Sequence, residues 1–178
     1  MKAELIKIFP EINLIENEEL KEKTIKVWIE AMERGGWNVS DLKRIPFTLL
    51  LTDCPVNIVD HTRSVTQIAI EAAKKLAKFN GGAYRLDMDA LISGGLLHDV
   101  GKIVEYANYA DGIKKSPMGK LLRHPFSGAG LAMRHYLPDK VVHIIAVHAK
   151  EGDEGYRCPE AVIVHHADFM NFEPIKMG

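Results

Sequence analysis

The chain has 178 residues, 47% of them hydrophobic and 26% charged, and a formal net charge of −1. That length and balance predict one globular domain with a real core, carrying at most a small extension. The near-zero charge excludes a general electrostatic binder of nucleic acid or of a membrane surface.

No apolar run reaches the roughly 20 residues of a membrane span. The first 20 residues lack the uninterrupted apolar stretch of a secretory leader. Cys54 and Cys158 form no C-x-x-C pair. A cytoplasmic protein with both thiols reduced is therefore expected.

In chain order, almost every periodic segment has helical spacing. Asn17 caps a helix opened by Glu18 and Glu19, with Leu20, Thr24, Val27, Trp28 and Ala31 as its apolar stripe and Gly35-Gly36 as its stop. A shorter helix is predicted after Ser40, through Leu42, Ile45 and Leu49, disturbed at Pro46. Asp60 reads as the N-cap of the next helix, on which His61, Val65, Ile68, Ala72, Leu76 and Phe79 share a face. Asp87 caps MDALISGGLLHD; Met88, Leu91, Ile92 and Gly95 line its inner face, and His98, Asp99 and Lys102 continue that line. Gly94 and Gly95 allow a neighbour to approach closely, and Gly101 ends the helix.

Residues 103–122 read as a loop or a broken helix. His124 then precedes Pro125, which suits a first helical position. Pro138 opens a helix with Val141, Ile144, Ile145 and His148 on one face, and Pro159 opens the last, with Ala161, Val164, His165 and Asp168 on one side. No strand is predicted. The expected fold class is all-α, a helical bundle.

Ligand-type residues recur at helix ends and on apolar faces. His61, His98-Asp99, His124, His148 and Asp168 come from five different helices. A lone buried histidine is usually a satisfied core residue. Six inward-facing groups, each costing about 1–3 kcal/mol if unsatisfied, need a shared partner, and a metal supplies one. Imidazole with carboxylate suits Fe, Mn, Ni, Co or Zn, and the absence of cysteine ligands argues against structural zinc.

The order H…HD…H…H…D, centred on LLHDVGK, resembles the HD-domain superfamily of metal-dependent phosphohydrolases over roughly residues 55–172. The stretches HTRSVTQIAIEAA, GGLLHDVGKIVEY, GKLLRHPFSGAGLAM, VVHIIAVHAKEG and PEAVIVHHADF carry it, the last four looking most like HD domains attached to 3′→5′ exoribonucleases. The resemblance implies an HD-domain helical bundle over residues 55–178, with residues 1–54 as a short helical N-terminal extension. It implies one divalent transition metal held by His61, His98, Asp99 and Asp168. Asp99 would bridge to a second, weak or absent, at His124 and His148. Many two-metal members carry another histidine directly after the fourth; here that place is Ala149. Those exonucleases also carry a separate nucleic-acid-binding domain, and the first 55 residues are too short and helical for a barrel of that kind, so no long nucleic acid is expected.

The expected reaction is hydrolysis of a small phosphomonoester or phosphodiester, with a nucleotide among the candidates, by a metal-bound hydroxide. Asp99 and Lys102 are the expected catalytic residues, Lys102 neutralising a phosphate oxygen from one turn beyond His98; its plainer role is a helix-end cation. The basic segment up to Arg123 suits an anionic substrate, and Tyr106 and Tyr109 could stack on a base, although an ordinary surface loop is the simpler reading. Arg63 is either a phosphate ligand or exposed. His165 is expected to support Asp168 by a hydrogen bond. His135 and His166 are placed on the surface, His143 outside the site, and Trp28, Trp37 and Phe47 in packing roles. The alternatives are an HD-type di-iron oxygenase and a metal-retaining, non-catalytic binding module. No membrane partner is expected; the N-terminal extension is either a homodimer face or a cover over the core.

Overall fold

A computed structural model describes residues 1–177. Helix α1 (Lys2–Ile8) and a 3-10 turn (Pro10–Leu14) lead into α2 (Glu18–Gly35). As the sequence predicts, the Asn17 side chain accepts from Leu20 N at 2.9 Å, and Gly36 closes α2 at φ +71°. A 3-10 turn, Val39–Arg44, replaces the helix expected after Ser40. Beyond it Pro46 bridges to Asn57, while Phe47 N donates to Val56 O and Ile58 N to Ile45 O. The backbone is therefore extended here, because proline supplies no donor for a helix.

Helix α3 (Ile58–Phe79) begins earlier than expected. Its cap is Asn57, which accepts from Asp60 N at 3.0 Å and donates to Asp60 Oδ2 at 2.7 Å. Asp60 is instead the acid of the first turn, where it favours the helix dipole. The buried stripe runs through His61, Thr62, Val65, Thr66, Ala69 and Ala73, while Leu76 and Phe79 are exposed. A 22-residue helix is about 33 Å long, and its far end outruns its neighbours.

Helix α4 (Met88–Leu97), capped by Asp87, is the central element. Its two glycines work as expected: a Cβ on Gly94 would lie 2.7 Å from the Ile144 side chain, and one on Gly95 would lie 3.1 Å from Thr66. Short α5 (Lys102–Glu105) leads into β1 (Tyr106–Tyr109) and β2 (Gly112–Lys115), an antiparallel pair with register Tyr106↔Lys115. This hairpin corrects the strandless expectation. Asp111-Gly112 at its tip is a hairpin signal, with Gly112 at φ +115°, but four-residue strands show no usable alternation. Helices α6 (Pro117–Leu121), α7 (His124–Arg134), α8 (Asp139–Val147) and α9 (Pro159–Met177) complete the chain, with a 3-10 turn at Lys150–Gly152.

One core joins side chains from residues 1–54 with those of the later helices. Phe9 stacks on Trp28 at 4.7 Å, and the two indoles reach across to backbone carbonyls flanking the LLHDVGK turn: Trp28 to Leu96 O and Trp37 to Ile103 O. Both tryptophans therefore brace the segment that presents His98 and Asp99. Cys54 and Cys158 are free thiols. Among the described residues, no helix is long and apolar enough to cross a membrane.

Candidate metal centre

After α4 the chain passes through successive tight turns: Val100 N donates to Leu97 O, Lys102 N to Asp99 O, and Ile103 N to Val100 O. This i→i+3 winding carries adjacent His98 and Asp99 into the interior together. Gly101 permits the next approach. A Cβ there would sit 2.1 Å from His124 O, so only glycine lets the start of α7 abut the turn.

The six expected ligands come together. His61, His98, Asp99 and His148 are at most 1% exposed, and His124 is 6% exposed. In one set, His61 Nε2 lies 3.0 Å from Asp168 Oδ1, 3.3 Å from Asp99 Oδ2 and 3.3 Å from His98 Nε2. In the other, His124 Nε2 lies 3.3 Å from both Asp99 Oδ1 and His148 Nε2. The two oxygens of one carboxylate thus face two different histidine sets.

Hydrogen-bond chemistry tests whether a metal fits. His98 Nδ1 donates to Gly95 O at 2.6 Å and His148 Nδ1 to Ile145 O at 2.8 Å. A carbonyl only accepts, so a proton sits on each Nδ1, and each ring turns its Nε2 inward. His124 Nδ1 is likewise directed at Glu105 Oε2, at 3.2 Å. Two Nε2 atoms therefore meet at 3.3 Å, beside an Asp99 Oδ1 that has no hydrogen-bond partner. Such crowded ligand atoms suit a shared cation, and the donor set fits a divalent metal.

The electrostatics agree. Burial drives His98 and His124 down to about 4, keeping both rings in the neutral, ligating form. For Asp99 and Asp168 burial alone would raise the pKa; nearby Lys102 and His98 for Asp99, and His61 and His98 for Asp168, hold both carboxyls below their usual range. His61 moves the other way, because its hydrogen bonds to Asp168 and Asp99 overcome burial. Lys102 Nζ donates to Asp99 Oδ2 at 2.6 Å, and that pairing outweighs burial and raises its pKa. The contact is with Asp99, three residues back, rather than along a continuous helix from His98.

A cavity of about 170 Å³ opens on this centre. Lys102, His124, Ala149 and Asp168 form part of its wall, with Tyr106, Lys115, Arg123, Lys150 and the rings of Phe47, Phe169 and Phe172 around them. Tyr106 is buried, and burial pushes its hydroxyl up to about 12. Tyr109 does not line the cavity. Arg123 does, while pairing with Glu105 at 2.8 Å and Glu151 at 3.0 Å.

One expectation needs correction. Arg63 is not a cavity residue; it pairs at 3.0 Å with buried Glu11, because residues two apart on a helix point to different sides. His165 makes its hydrogen bond to a different candidate ligand from its helix neighbour Asp168: its Nδ1 lies 2.6 Å from His148 O. His143 accepts from Cys158 N, His135 pairs with Glu30, and His166 is exposed. Three features escape sequence reasoning. Phe47 stacks on His61 at 4.2 Å and lies 5.5 Å from Lys102 Nζ. Phe172 meets Phe47 edge-on at 6.2 Å. Glu105 anchors His124; its one sequence signal is being the lone acid between Lys102 and Asp111.

Comparison with known proteins fits this geometry. A protein of Pseudothermotoga lettingae named ribonuclease Y is 31% identical over 115 residues, which are 65% of this chain and 18% of that protein. A dihydroneopterin 2′,3′-cyclic phosphate phosphodiesterase of Methanocaldococcus jannaschii is 36% identical over 115 residues, 62% of this chain and 44% of that protein. The chain thus spans less than half the length of these relatives. No solved structure gives a significant match. The family model described as HD domain matches residues 58–170, the stretch that carries all six candidate ligands in order, and the chain belongs to the HD domain family.

Proposed function

We propose that the chain is a metal-dependent phosphohydrolase acting on a small phosphomonoester or phosphodiester, with nucleotides among the candidate substrates. One observation carries this reading. Two histidine sets meet on opposite oxygens of Asp99, and this centre opens into a cavity rimmed by Lys102, Lys115, Arg123 and Lys150. His61, His98, Asp99 and Asp168 would hold one divalent metal, and Asp99, His124 and His148 a second. When bound, a metal of this class supplies an activated water at neutral pH and a Lewis acid for a phosphoryl oxygen.

The chain's own residues supply the rest. Asp99 orients both sets. Lys102 holds a buried positive charge beside the reacting centre, where it stabilises charge that builds on a phosphoryl oxygen. Phe47 covers Lys102 and His61, lowering the local dielectric and strengthening those interactions. The names of the two relatives point both ways, one to RNA and one to a small cyclic phosphodiester.

A screen of nucleotides and generic phosphoesters with Mn, Co, Ni, Fe or Zn tests the reading, with Asp99→Ala as control. Phosphate or nitrophenol release by the wild type alone is expected. Bound iron with oxygen consumption and no ester hydrolysis would favour a di-iron oxygenase. Metal retention without turnover on any ester would favour a binding module, and hydrolysis confined to oligoribonucleotides would overturn the small-substrate assignment.

A further inference from the structure

Glu105 is 1% exposed, yet four donors converge on its carboxylate. Oε2 accepts from His124 N at 2.7 Å and faces His124 Nδ1 at 3.2 Å. Oε1 accepts from Arg123 Nη1 at 2.8 Å and pairs with Lys115 Nζ at 3.2 Å. Three elements build this junction. The hairpin register sets Lys115 opposite Tyr106, and therefore beside Glu105. Gly119 lets α6 close over α5, since a Cβ there would lie 2.1 Å from Glu105 O. Arg123 and His124 open α7.

We propose that Glu105 is a positioning residue with two opposed effects: it orients His124 as a metal ligand, and it restrains Lys115 and Arg123 from binding anions at the cavity rim. The proposal rests on the reading that His124 and His148 hold a metal. One oxygen fixes the His124 tautomer, leaving Nε2 as a lone-pair donor toward Asp99 Oδ1. The other holds the two rim cations in ion pairs that an incoming phosphate must break. Loss of the carboxylate therefore weakens one kind of binding and strengthens the other. General structural damage weakens both.

The test uses full-length protein stripped with EDTA. Mn²⁺ is titrated by calorimetry to count sites, and sulfate is titrated into the metal-free protein and followed by NMR. Wild type is expected to take two Mn²⁺. Glu105→Gln is expected to keep the tighter Mn²⁺, to bind the second about 10–100-fold more weakly, and to bind sulfate about fivefold more tightly. If Glu105→Gln does not fold, the partly exposed pair Lys115→Met and Arg123→Met carries the test: sulfate binding is lost and the second Mn²⁺ is retained. A single Mn²⁺ in the wild type, an unchanged second site or weaker sulfate binding in Glu105→Gln, or loss of the second Mn²⁺ in the double variant overturns the proposal. Ester hydrolysis by the wild type that disappears in Asp99→Ala leaves the functional reading standing whatever Glu105 does.

Discussion

The two histidine sets around Asp99 are built differently. The first draws on α3, the end of α4 and α9 and includes a second carboxylate, Asp168, 3.0 Å from His61. Its histidines, His61 and His98, are sealed from solvent and do not line the cavity. The second draws on the start of α7 and the end of α8. It has two imidazoles and only the shared Asp99 oxygen, and His124 forms part of the cavity wall. Two carboxylates make a strong site that meets the cavity only through Asp168, whereas an imidazole pair with one shared oxygen makes a weaker, more open one. On this reading the first metal stays bound, and the second site is where substrate chemistry meets the protein.

The most damaging way to break that asymmetry is to remove a ligand from either set. His61→Ala is expected to lose the tighter metal and His148→Ala only the weaker one, with turnover lost in both; elemental analysis after dialysis separates the two. Equal losses from both variants would contradict the asymmetry. Next in size is Lys102→Met. Both metals should remain while kcat falls about 10²–10³-fold, the scale of losing one preorganised charge-stabilising group. A change in KM alone would assign Lys102 to ground-state binding.

Gly101→Ala probes how the second set is assembled. Its Cβ would collide with His124 O, so a loss of about 1–3 kcal/mol is expected on thermal melting, together with weaker second-metal binding and an intact first site. The smallest effect is that of pH on the metal-free protein. His98 and His124 have folded pKa values near 4, below their ordinary 6.5, so between those values the unfolded chain binds more protons. Their contribution to stability is present above pH 6.5 and is lost as pH falls toward 4. His61 is shifted upward and opposes this, favouring the folded state at lower pH. Melting temperatures across that range should fall with pH, and less steeply in His124→Gln than in the wild type.

The ligand order and most helices were legible in the sequence because both depend on local spacing. His61, His124, His148 and Asp168 stand on helices whose apolar neighbours already point inward. Gly94 and Gly95 announced close packing that the fold then uses against Ile144 and Thr66. What escaped depends on contacts between distant segments. Phe47 reaches His61 only because residues 45–47 run extended beside 56–58, a pairing with no period-2 pattern. Glu105 meets His124 across 19 residues and an intervening hairpin. Arg63 looked available as a phosphate ligand until buried Glu11, 52 residues earlier, claimed it. Asp60 was the expected cap of α3, and the extended backbone at Asn57 places the cap three residues earlier.

The central claim is that one carboxylate, Asp99, serves both metal sets. Metal stoichiometry of purified Asp99→Ala, measured beside wild type after identical Mn²⁺ loading and dialysis, tests it most directly. Two equivalents in the wild type and almost none in the variant are predicted. A variant that keeps one full equivalent would show that the sets are independent and contradict the bridging role.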